Sequence, residues 1–370
     1  FRALLRADGT AGGAEEVLLI GNVGASGGPP AEIARFGARV LFSAREAASG
    51  REPWVSDRTP AGTFQLSDLA GGTDGSDPRY FTERGSLALF SAWTPATGRE
   101  LFVTDGTPGG TALLVDLEPG AASSDPADFV AWGSVVLFRA CDATAGCELW
   151  KSDGTAPGTQ RVADLVAGAG GSFPERLVAG PGKVFFRATT PASGTELWAT
   201  DGSAAGTALV AEIGPGATSS LPQDLEATPS RVFFVADDAS HGLEVWSSDG
   251  TPGGTALAKD VAPGSADGAF ASDDYAAVHQ GAYYFALPLD SGTGWGQLWK
   301  SDGTTPGTVL VKDSLALHAS GGDFGWLGSG GDFLWFTFWP SNNNSEPYRS
   351  DGTSAGTTLV EELRPGTTGS

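Results

Sequence analysis

The stretch ELWKSDGTAPGT, from Glu148 to Thr159, is the fullest copy of a motif that recurs along the whole chain. Its central Asp-Gly-Thr, or a near variant, occurs eight times, led by Asp8, Asp57, Asp105, Asp153, Asp201, Asp249, Asp302 and Asp351. Successive copies lie 49, 48, 48, 48, 48, 53 and 49 residues apart. Self-similarity at so regular a period predicts an architecture built from repeated structural units.

Each copy divides into four short strands, which alternate apolar and polar residues between turn signals. In the third full copy we expect strands at residues 127–131, 135–140, 148–152 and 159–164. A longer Pro-Gly and Ser-Ser connection follows the fourth strand and leads to the next copy. A repeated four-stranded meander predicts the blades of a β-propeller, because one blade cannot bury both of its faces alone.

The predicted fold is therefore all-β, with residues 1–370 forming a single β-propeller of four-stranded antiparallel blades. Residues 24–370 hold seven repeats of about 48 residues. Residues 1–23 hold only the third and fourth strands of a further blade, which predicts an extra N-terminal hairpin. An eight-bladed ring that lacks two strands is the alternative. The seven complete blades are expected at about residues 31–68, 78–117, 126–165, 174–213, 222–261, 274–313 and 324–363.

The charge of the chain argues against two classes of partner. Its 44 acidic and 22 basic residues give a formal net charge of −22, which repels phosphate backbones and anionic lipid head groups. No apolar run reaches the length of a transmembrane helix. We therefore expect neither nucleic-acid binding nor membrane insertion.

The two cysteines indicate the compartment. Cys141 and Cys147 flank five residues in a predicted hairpin loop, where a disulfide between them is feasible. Such a bond persists only outside the reducing cytosol, whereas two unpaired thiols are the alternative. The chain begins at Phe1 and contains no Met, which we interpret as a product whose leader has been removed. The prediction is an extracellular or cell-surface protein.

The repeated residues resemble the ELWxxDGT repeat family, which occurs in exported and cell-surface proteins of bacteria, and the resemblance covers nearly the whole chain. Copies depart from the motif at Arg58 and Ser203 within the tripeptide, at Ala3 and Gln297 in place of Glu, and at Leu5 in place of Trp. The resemblance implies a propeller-like architecture and export. It implies no catalytic activity that could be assigned to particular residues.

The repeated Asp, aromatic and Glu positions of the motif each allow a functional and a structural interpretation. One carboxylate per turn could bind metal, but an Asp that accepts backbone N–H bonds before a Gly with positive φ is a structural turn device. The aromatic residue three before each Asp is expected to pack between blades, and the Glu two residues earlier to pair with a neighbouring blade's backbone or with Arg139 or Arg187. Structural turn roles are predicted for Asp105, Asp153, Asp201, Asp249, Asp302 and Asp351.

Ligand binding is predicted on the loops that follow the second strand of each blade. These loops differ from blade to blade, and variable loops on a rigid scaffold tend to carry function. Trp beside Asp or Asn suits ring stacking and paired hydrogen bonds to a carbohydrate, and equally suits a protein loop. Ordinary polar hairpin tips are the alternative. The candidates are Trp93, Asp142, Asp237, Asp238, His241, Asp290, Trp295, Trp339, Asn342 and Asn343.

A calcium site is a further hypothesis, on the acidic residue that ends the fourth strand. Backbone carbonyls of the Pro-Gly connection would complete the oxygen ligands, although each carboxylate could instead cap its own turn. We expect no obligatory cofactor, with Ca²⁺ as an optional ion. The candidate ligands are Asp68, Asp116, Asp164, Asp260 and Asp313.

Catalytic constellations are scarce in the sequence. His241, His279 and His318 lie in three different repeats without metal-ligand spacing, and no Gly-rich loop precedes a helix. We therefore predict a non-catalytic binding module that recognises a glycan or a protein through variable loops. The alternatives are a scaffold subunit of a bacterial surface assembly that self-assembles through the N-terminal hairpin, and a polysaccharide-active enzyme with two close carboxylates.

Overall fold

The computed structural model describes residues 2–7, 14–20, 31–265, 267–269, 275–287, 296–313, 322–340 and 346–360. These residues form seven four-stranded antiparallel sheets and one two-stranded sheet. The prediction of an all-β propeller with seven blades is confirmed. Helix within these residues is limited to two single 3₁₀ turns, Pro108–Gly110 and Pro252–Gly254, and neither has the length or apolar character needed to cross a bilayer.

The chain divides into two compact units, Phe1–Leu177 with Gly202–Ala204 and Val178–Asp201 with Ala205–Ser370. The first unit contains a hairpin of β1 (Arg2–Ala7) and β2 (Ala14–Ile20). Blade 1 consists of β3 (Ala31–Phe36), β4 (Arg39–Glu46), β5 (Gly50–Ser56) and β6 (Thr63–Gln65), and blade 2 of β7 (Arg79–Arg84), β8 (Leu87–Thr94), β9 (Gly98–Thr104) and β10 (Ala112–Val115). Blade 3 consists of β11 (Ala127–Trp132), β12 (Val135–Asp142), β13 (Gly146–Ser152) and β14 (Gln160–Ala163).

The second unit contains most of blade 4 and all of blades 5 to 7. Blade 4 consists of β15 (Glu175–Ala179), β16 (Val184–Thr190), β17 (Gly194–Thr200) and β18 (Ala208–Ala211); blade 5 of β19 (Gln223–Ala227), β20 (Val232–Asp237), β21 (Leu243–Ser248) and β22 (Ala256–Lys259); blade 6 of β23 (Ala276–His279), β24 (Ala282–Leu287), β25 (Gln297–Ser301) and β26 (Val309–Lys312); and blade 7 of β27 (Gly322–Gly330), β28 (Phe333–Pro340), β29 (Glu346–Ser350) and β30 (Thr358–Leu359).

Each blade is a meander in which every strand pairs with the next along the chain. The first strands of several consecutive blades contact one another, as β3, β7 and β11 do in the first unit and β19, β23 and β27 in the second. The Asp-Gly-Thr turn lies at one end of each blade, which we call the turn edge. The loop after the second strand lies at the other end with the connection to the next blade, and we call this end the loop edge.

The core lies between consecutive blades, because alternate residues of each second strand face opposite neighbours. Leu41 of blade 1 packs with Phe90 of blade 2, whereas Leu89 of blade 2 packs with Phe138 of blade 3. All four side chains are fully buried, and each burial is worth about 1.5–3 kcal/mol. The aromatic residue before each turn joins these clusters: Trp54, Phe102 and Tyr348 are buried, and Trp150, Trp198, Trp246 and Trp299 are half-buried.

The first strands contain a bulge that no glycine signals. The second residue of the strand has positive φ at Glu32, Tyr80, Asp128, Arg176 and Asp224, between 52° and 60°. The pairing register shifts at this point in β3, β7, β11 and β19, as expected when an extra residue is inserted in one strand. The bulges also connect blades, because Glu32 Oε2 accepts the Tyr80 N–H at 3.0 Å and Asp128 Oδ1 accepts the Arg176 N–H at 3.2 Å.

The Asp-Gly-Thr turns share one hydrogen-bond pattern. In blade 3 the Asp153 carboxylate accepts the backbone N–H and the hydroxyl of Thr155 at 2.9 and 2.6 Å, and Thr155 Oγ1 accepts the Gly158 N–H at 3.1 Å. The pattern recurs at Asp57, Asp105, Asp249, Asp302 and Asp351. These bonds from Thr hold the pKa of the turn carboxylates below the usual value.

A cationic side chain reaches several of these turns from the preceding blade. Arg39 donates to the carbonyls of Asp105 and Gly106 at 3.1 and 3.0 Å, and Lys183 donates to the Gly250 carbonyl at 3.0 Å. Gly106 has a φ of +79°, and a Cβ there would lie 2.5 Å from the Arg39 guanidinium. The turn glycine therefore serves both backbone conformation and the contact between blades.

The predicted disulfide between Cys141 and Cys147 is present. The two residues are opposite each other in β12 and β13, so the strands extend past the expected loop boundaries and leave only residues 143–145 in the turn. The other strands of blade 3 match the predicted ranges to within one residue at most ends.

Candidate functional site

A buried glutamate lies beneath the loop edge of most blades, at Glu52, Glu100, Glu148, Glu196, Glu244 and Glu346 in the third strands. In blade 2, Glu100 accepts the N–H and hydroxyl of Ser124 at 2.8 and 2.6 Å, and the Leu117 N–H at 2.9 Å. Burial raises the pKa of this carboxyl, and the hydrogen bonds act against that rise. The same contact joins Glu52 to Ser76, Glu148 to Ser172 and Glu196 to Ser220.

These glutamate–serine contacts connect consecutive blades. Ser124 lies in the connection to blade 3, and its carbonyl accepts the Cys141 N–H from β12 at 2.7 Å. The partners are thus backbone and Ser groups of the connection. Arg139, which the sequence suggested as a partner, instead pairs with Glu175 at 2.9 Å.

Blade 5 departs from this pattern, because Gly268 stands where the serine is expected. Glu244 Oε1 accepts the N–H groups of Val261 and Ala262 at 3.1 and 3.0 Å, but its buried Oε2 has no hydrogen-bond partner within the described residues. A Cβ at Gly268 would lie 2.1 Å from Oε1, so the carboxylate occupies the space left by the missing side chain. Burial, with a smaller contribution from the charge of Asp260, raises the pKa of Glu244 to about 7.

The adjacent loop of blade 5 presents an Asp–His pair. Asp238 Oδ1 accepts the N–H groups of Ser240 and His241 at 2.9 Å each, and Oδ2 lies 2.7 Å from His241 Nδ1. Burial acts to raise the Asp238 pKa, but the bonds from His241 and Ser240 outweigh it and lower the pKa to about 2. The hydrogen bond from Asp238 raises the pKa of His241, whose imidazole is partly exposed. Asp237, next to this pair, accepts the Ala239 N–H at 2.7 Å.

A second group of polar side chains lies at the loop edge of blade 2. Trp93, half-buried, is opposite Arg99 in the pairing of β8 with β9. Arg99 donates to the carbonyl and the carboxylate of Asp77 at 2.9 and 3.2 Å, and Arg79 shares that carboxylate at 2.5 Å. Burial, reinforced by the neighbouring charge of Arg79, lowers the pKa of Arg99.

Blade 3 presents a third arrangement at its loop edge. Asp142 Oδ1 accepts the N–H groups of Thr144 and Ala145 at 2.8 and 2.9 Å, and Oδ2 pairs with Arg161 at 3.3 Å. The carboxylate therefore closes the short turn beside the disulfide. Although burial acts to raise the Asp142 pKa, these contacts lower it overall.

The remaining ligand candidates are only partly described. Trp93 and Asp142 belong to the first unit, whereas Asp237, Asp238 and His241 are neighbours in the second. Trp339 lies in β28, and its side chain is not among those described. The predictions at Asp290, Trp295, Asn342 and Asn343 fall outside the described residues.

The calcium candidates form contacts of several kinds. Asp68 and Asp116 accept the N–H groups of Gly71 and Gly120 at 2.9 and 3.1 Å, and so cap their own connections. Asp164 lies 3.8 Å from Arg161, Asp313 accepts a bond from Gln297 at 3.2 Å, and Asp260 lies within electrostatic range of Glu244. No group of three or more His, Cys, Asp or Glu side chains able to hold a metal occurs in the part of the chain that the structure describes.

One face of blade 7 carries aromatic rings that the sequence motif does not single out. Trp326 is 56% exposed, and Phe333 and Trp335 are partly exposed beside the exposed Arg349. The sequence signal is the strand Gly322–Gly330, which contains four glycines and carries Trp326.

Comparisons with known proteins concern the fold alone. No protein-family model matches the chain, and a search of curated proteins finds no match. A prolyl endopeptidase structure is 12% identical with a TM-score of 0.54, and the match covers 89% of this chain and 49% of the endopeptidase. Oligopeptidase B from Leishmania major is 12% identical with a TM-score of 0.53, and the match covers 91% of this chain and 49% of the oligopeptidase. The computationally designed Ika8 protein is 15% identical with a TM-score of 0.50, and the match covers 92% of this chain and 88% of the designed protein. The chain thus spans about half the length of the two peptidases.

Proposed function

We propose that the chain is an extracellular, non-catalytic binding module that recognises a glycan or a protein through the loop edge of its blades. The observation that carries this proposal is the contrast between the two edges. The turn edge repeats one hydrogen-bond pattern in blade after blade. The loop edge presents different side chains in blades 2, 3 and 5, namely Trp93 with Arg99, Asp142 with Arg161, and Asp238 with His241.

This contrast supports a binding role because loops that do not stabilise the fold can vary in sequence, and such loops on a rigid scaffold often bind ligands. The half-exposed indole of Trp93 and the exposed imidazole of His241 supply ring surface and a polar donor, which protein and carbohydrate ligands both use. The disulfide supports an oxidising location outside the cell.

The test is a glycan-array screen of the purified chain in the presence of Ca²⁺ and of EDTA. We expect saturable binding that is weakened by Trp93→Ala or His241→Ala. Gly109→Ala on the turn edge is the matched control, because a Cβ there meets nothing within 4 Å. Loss of binding in EDTA would support the calcium hypothesis. Binding that survives both loop variants would contradict the proposed location.

A scaffold role is the second candidate, and the N-terminal hairpin favours it. Within the described strands β1 pairs only with β2, so each has an edge without a neighbouring strand. Such edges accept strands from other chains. A mass in solution above that of one chain, reduced by Leu4→Pro in β1, would support this role, and a monomer would contradict it.

An enzymatic role is less well supported by the geometry. Burial raises the pKa of Glu244 to about 7, which is a property expected of a general acid. Its side chain is fully buried, however, so it cannot touch a polysaccharide without rearrangement of blade 5. Hydrolysis assays on the glycans bound in the array would test the alternative directly.

A further inference from the structure

The motif tryptophans of several blades bury an indole N–H that has no acceptor. Their Nε1 atoms are buried and meet no hydrogen-bond partner among the described residues, at Trp54, Trp150, Trp198 and Trp246. A buried indole N–H usually finds an acceptor, because an unpaired one loses the bond that it makes with water in the unfolded chain. The recurrence of the same unpaired donor indicates an acceptor that these blades share.

Blade 6 shows where an acceptor for this N–H can lie. Trp299 Nε1 donates to Gln297 Oε1 at 3.0 Å, and Gln297 precedes Trp299 by two residues in β25. Residues two apart lie on the same face of a strand. The four unpaired tryptophans have a glutamate at that position, namely Glu52, Glu148, Glu196 and Glu244. A bonded indole therefore accompanies Gln, and an unpaired indole accompanies Glu.

The glutamates bond elsewhere, to the connection that follows the fourth strand. In blade 3, Glu148 accepts the N–H of Val166 at 3.3 Å, and the N–H and hydroxyl of Ser172 at 2.9 and 2.5 Å. A carboxylate can accept about four bonds, so these three donors leave it some capacity. Glu148 and Trp150 are thus an acceptor and a donor on one face of β13 that do not bond directly.

Blade 5 leaves both the donor and the acceptor unpaired. Trp246 Nε1 and Glu244 Oε2 are buried, and neither has a hydrogen-bond partner in the part of the chain that the structure describes. The Glu244 side chain is fully buried, and Trp246 packs against the core between blades 4 and 5. The equivalent groups of blade 6 bond directly. Two unpaired groups at these positions indicate a small bridging molecule.

The chemistry of the two groups selects the bridging molecule. It must accept a hydrogen bond from the indole N–H and donate one to the carboxylate. A metal cation cannot accept the N–H, and the carboxylate repels an anion. Water accepts and donates, and internal waters commonly satisfy buried polar groups that lack a protein partner.

We propose that blades 3 and 5 each bind an internal water, which accepts the N–H of Trp150 or Trp246 and donates to Glu148 or Glu244. In blade 6 the amide oxygen of Gln297 takes the place of this water. The motif glutamate then has two roles, because it bonds the connection to the next blade and also holds the water of its own tryptophan. These sites lie in the core and are separate from the loop edge.

A crystal structure that resolves ordered water tests the proposal. We expect a water within about 3.2 Å of Trp150 Nε1 and of Trp246 Nε1, and none bridging Trp299 to Gln297. Glu244→Gln supplies the amide oxygen that bonds directly in blade 6. This variant should lose the water at Trp246 and keep the one at Trp150, which serves as the internal control.

NMR cross-relaxation between water and the indole N–H protons makes the same measurement in solution. Trp150→Phe and Trp246→Phe assign the two signals, and thermal unfolding shows that each variant is folded. We expect transfer from water to both indoles, and its loss at Trp246 alone in Glu244→Gln. A protein acceptor at both Nε1 atoms, the absence of water there, or a water that persists at Trp246 in Glu244→Gln overturns the proposal.

Discussion

The Ser124 hydroxyl donates to Glu100 Oε2 at 2.6 Å, in a fully buried contact between residues 24 positions apart. Glu100 lies in the third strand of blade 2, whereas Ser124 belongs to the connection that leads to blade 3. The backbone N–H and the hydroxyl of Ser124 both donate to the Glu100 carboxylate, and these two bonds connect blade 2 to the segment that leads to blade 3. The absence of this contact in blade 5, where Gly268 replaces the serine, makes Glu244 chemically different from Glu52, Glu100, Glu148 and Glu196.

The first prediction concerns the pH dependence of stability at Glu244. Its folded pKa of about 7 lies above the ordinary value of 4.5, so the folded chain holds the proton more tightly than the unfolded chain. The stability contributed by this group is present below about pH 4.5 and falls as the pH rises towards 7. Glu244→Gln should therefore raise the midpoint of thermal unfolding at pH 8, with little change at pH 5, as followed by circular dichroism.

Glu100→Gln is the matched control for this experiment. Both oxygens of Glu100 accept hydrogen bonds, so an amide nitrogen at one of them leaves buried donors unpaired. We expect a loss of about 1–3 kcal/mol at pH 8. Equal destabilisation by the two substitutions would contradict the distinction between blades 2 and 5.

The second prediction restores the missing contact. Gly268→Ser supplies the hydroxyl that blades 1 to 4 use, and the Glu244 carboxylate must then withdraw from the space it occupies. We expect a higher unfolding midpoint at pH 8 and a weaker dependence on pH. Ser220→Gly is the converse substitution next to Glu196, and should destabilise by about 1–3 kcal/mol. A less stable Gly268→Ser protein would show that blade 5 cannot accept the contact.

The third prediction addresses the turn glycine. Gly106→Ala places a Cβ at positive φ and against the Arg39 guanidinium, and should cost about 1–2 kcal/mol in the free energy of unfolding. Gly109→Ala in the same turn is the control, because it has neither constraint. Urea titration of both proteins measures the difference, and equal stabilities would contradict the proposed role.

The fourth prediction concerns the Asp238–His241 pair. Asp238→Asn removes the charge and weakens the hydrogen bond that raise the His241 pKa, so this histidine should titrate at lower pH. Proton NMR of the imidazole signals follows the titration, with His241→Ala to assign the resonance among three histidines. An unchanged midpoint would mean that the pair does not persist in solution.

The repeat predicted the blades well because each is bounded by short turns with fixed requirements. Asp153, Gly154 and Thr155 form the turn expected of them, and the Cys141–Cys147 bond joins the strands that the pattern placed together. The bulge at Glu32 and Tyr80 was not predictable from glycine spacing, because ordinary side chains adopt the left-handed conformation there. The bonds between the bulges of neighbouring blades supply a physical reason for it.

The site was harder to predict than the fold. The sequence places Glu148 on one face of a strand, but its partner, Ser172, lies 24 residues away in a connection without regular secondary structure, so strand periodicity does not indicate the pair. Trp326 and Trp335 resemble ordinary core residues, and the positions of their rings depend on glycines of β27, which leave bare backbone beside them. Conversely, the variety of the loop-edge side chains was visible from the sequence, because it needs only a comparison of repeats.

The glutamate–serine contact also constrains how such a chain can change in length. Glu100 lies 24 residues after Ser76 and 24 residues before Ser124, so a repeat that keeps both residues carries a donor for the previous blade and an acceptor for the next. A tandem duplication of 48 residues preserves both halves of every contact, wherever in the repeat it begins. Recombination between copies can therefore add or remove a blade and keep the same glutamate–serine contacts between blades. A single substitution such as the one at Gly268 instead removes the contact between two particular blades.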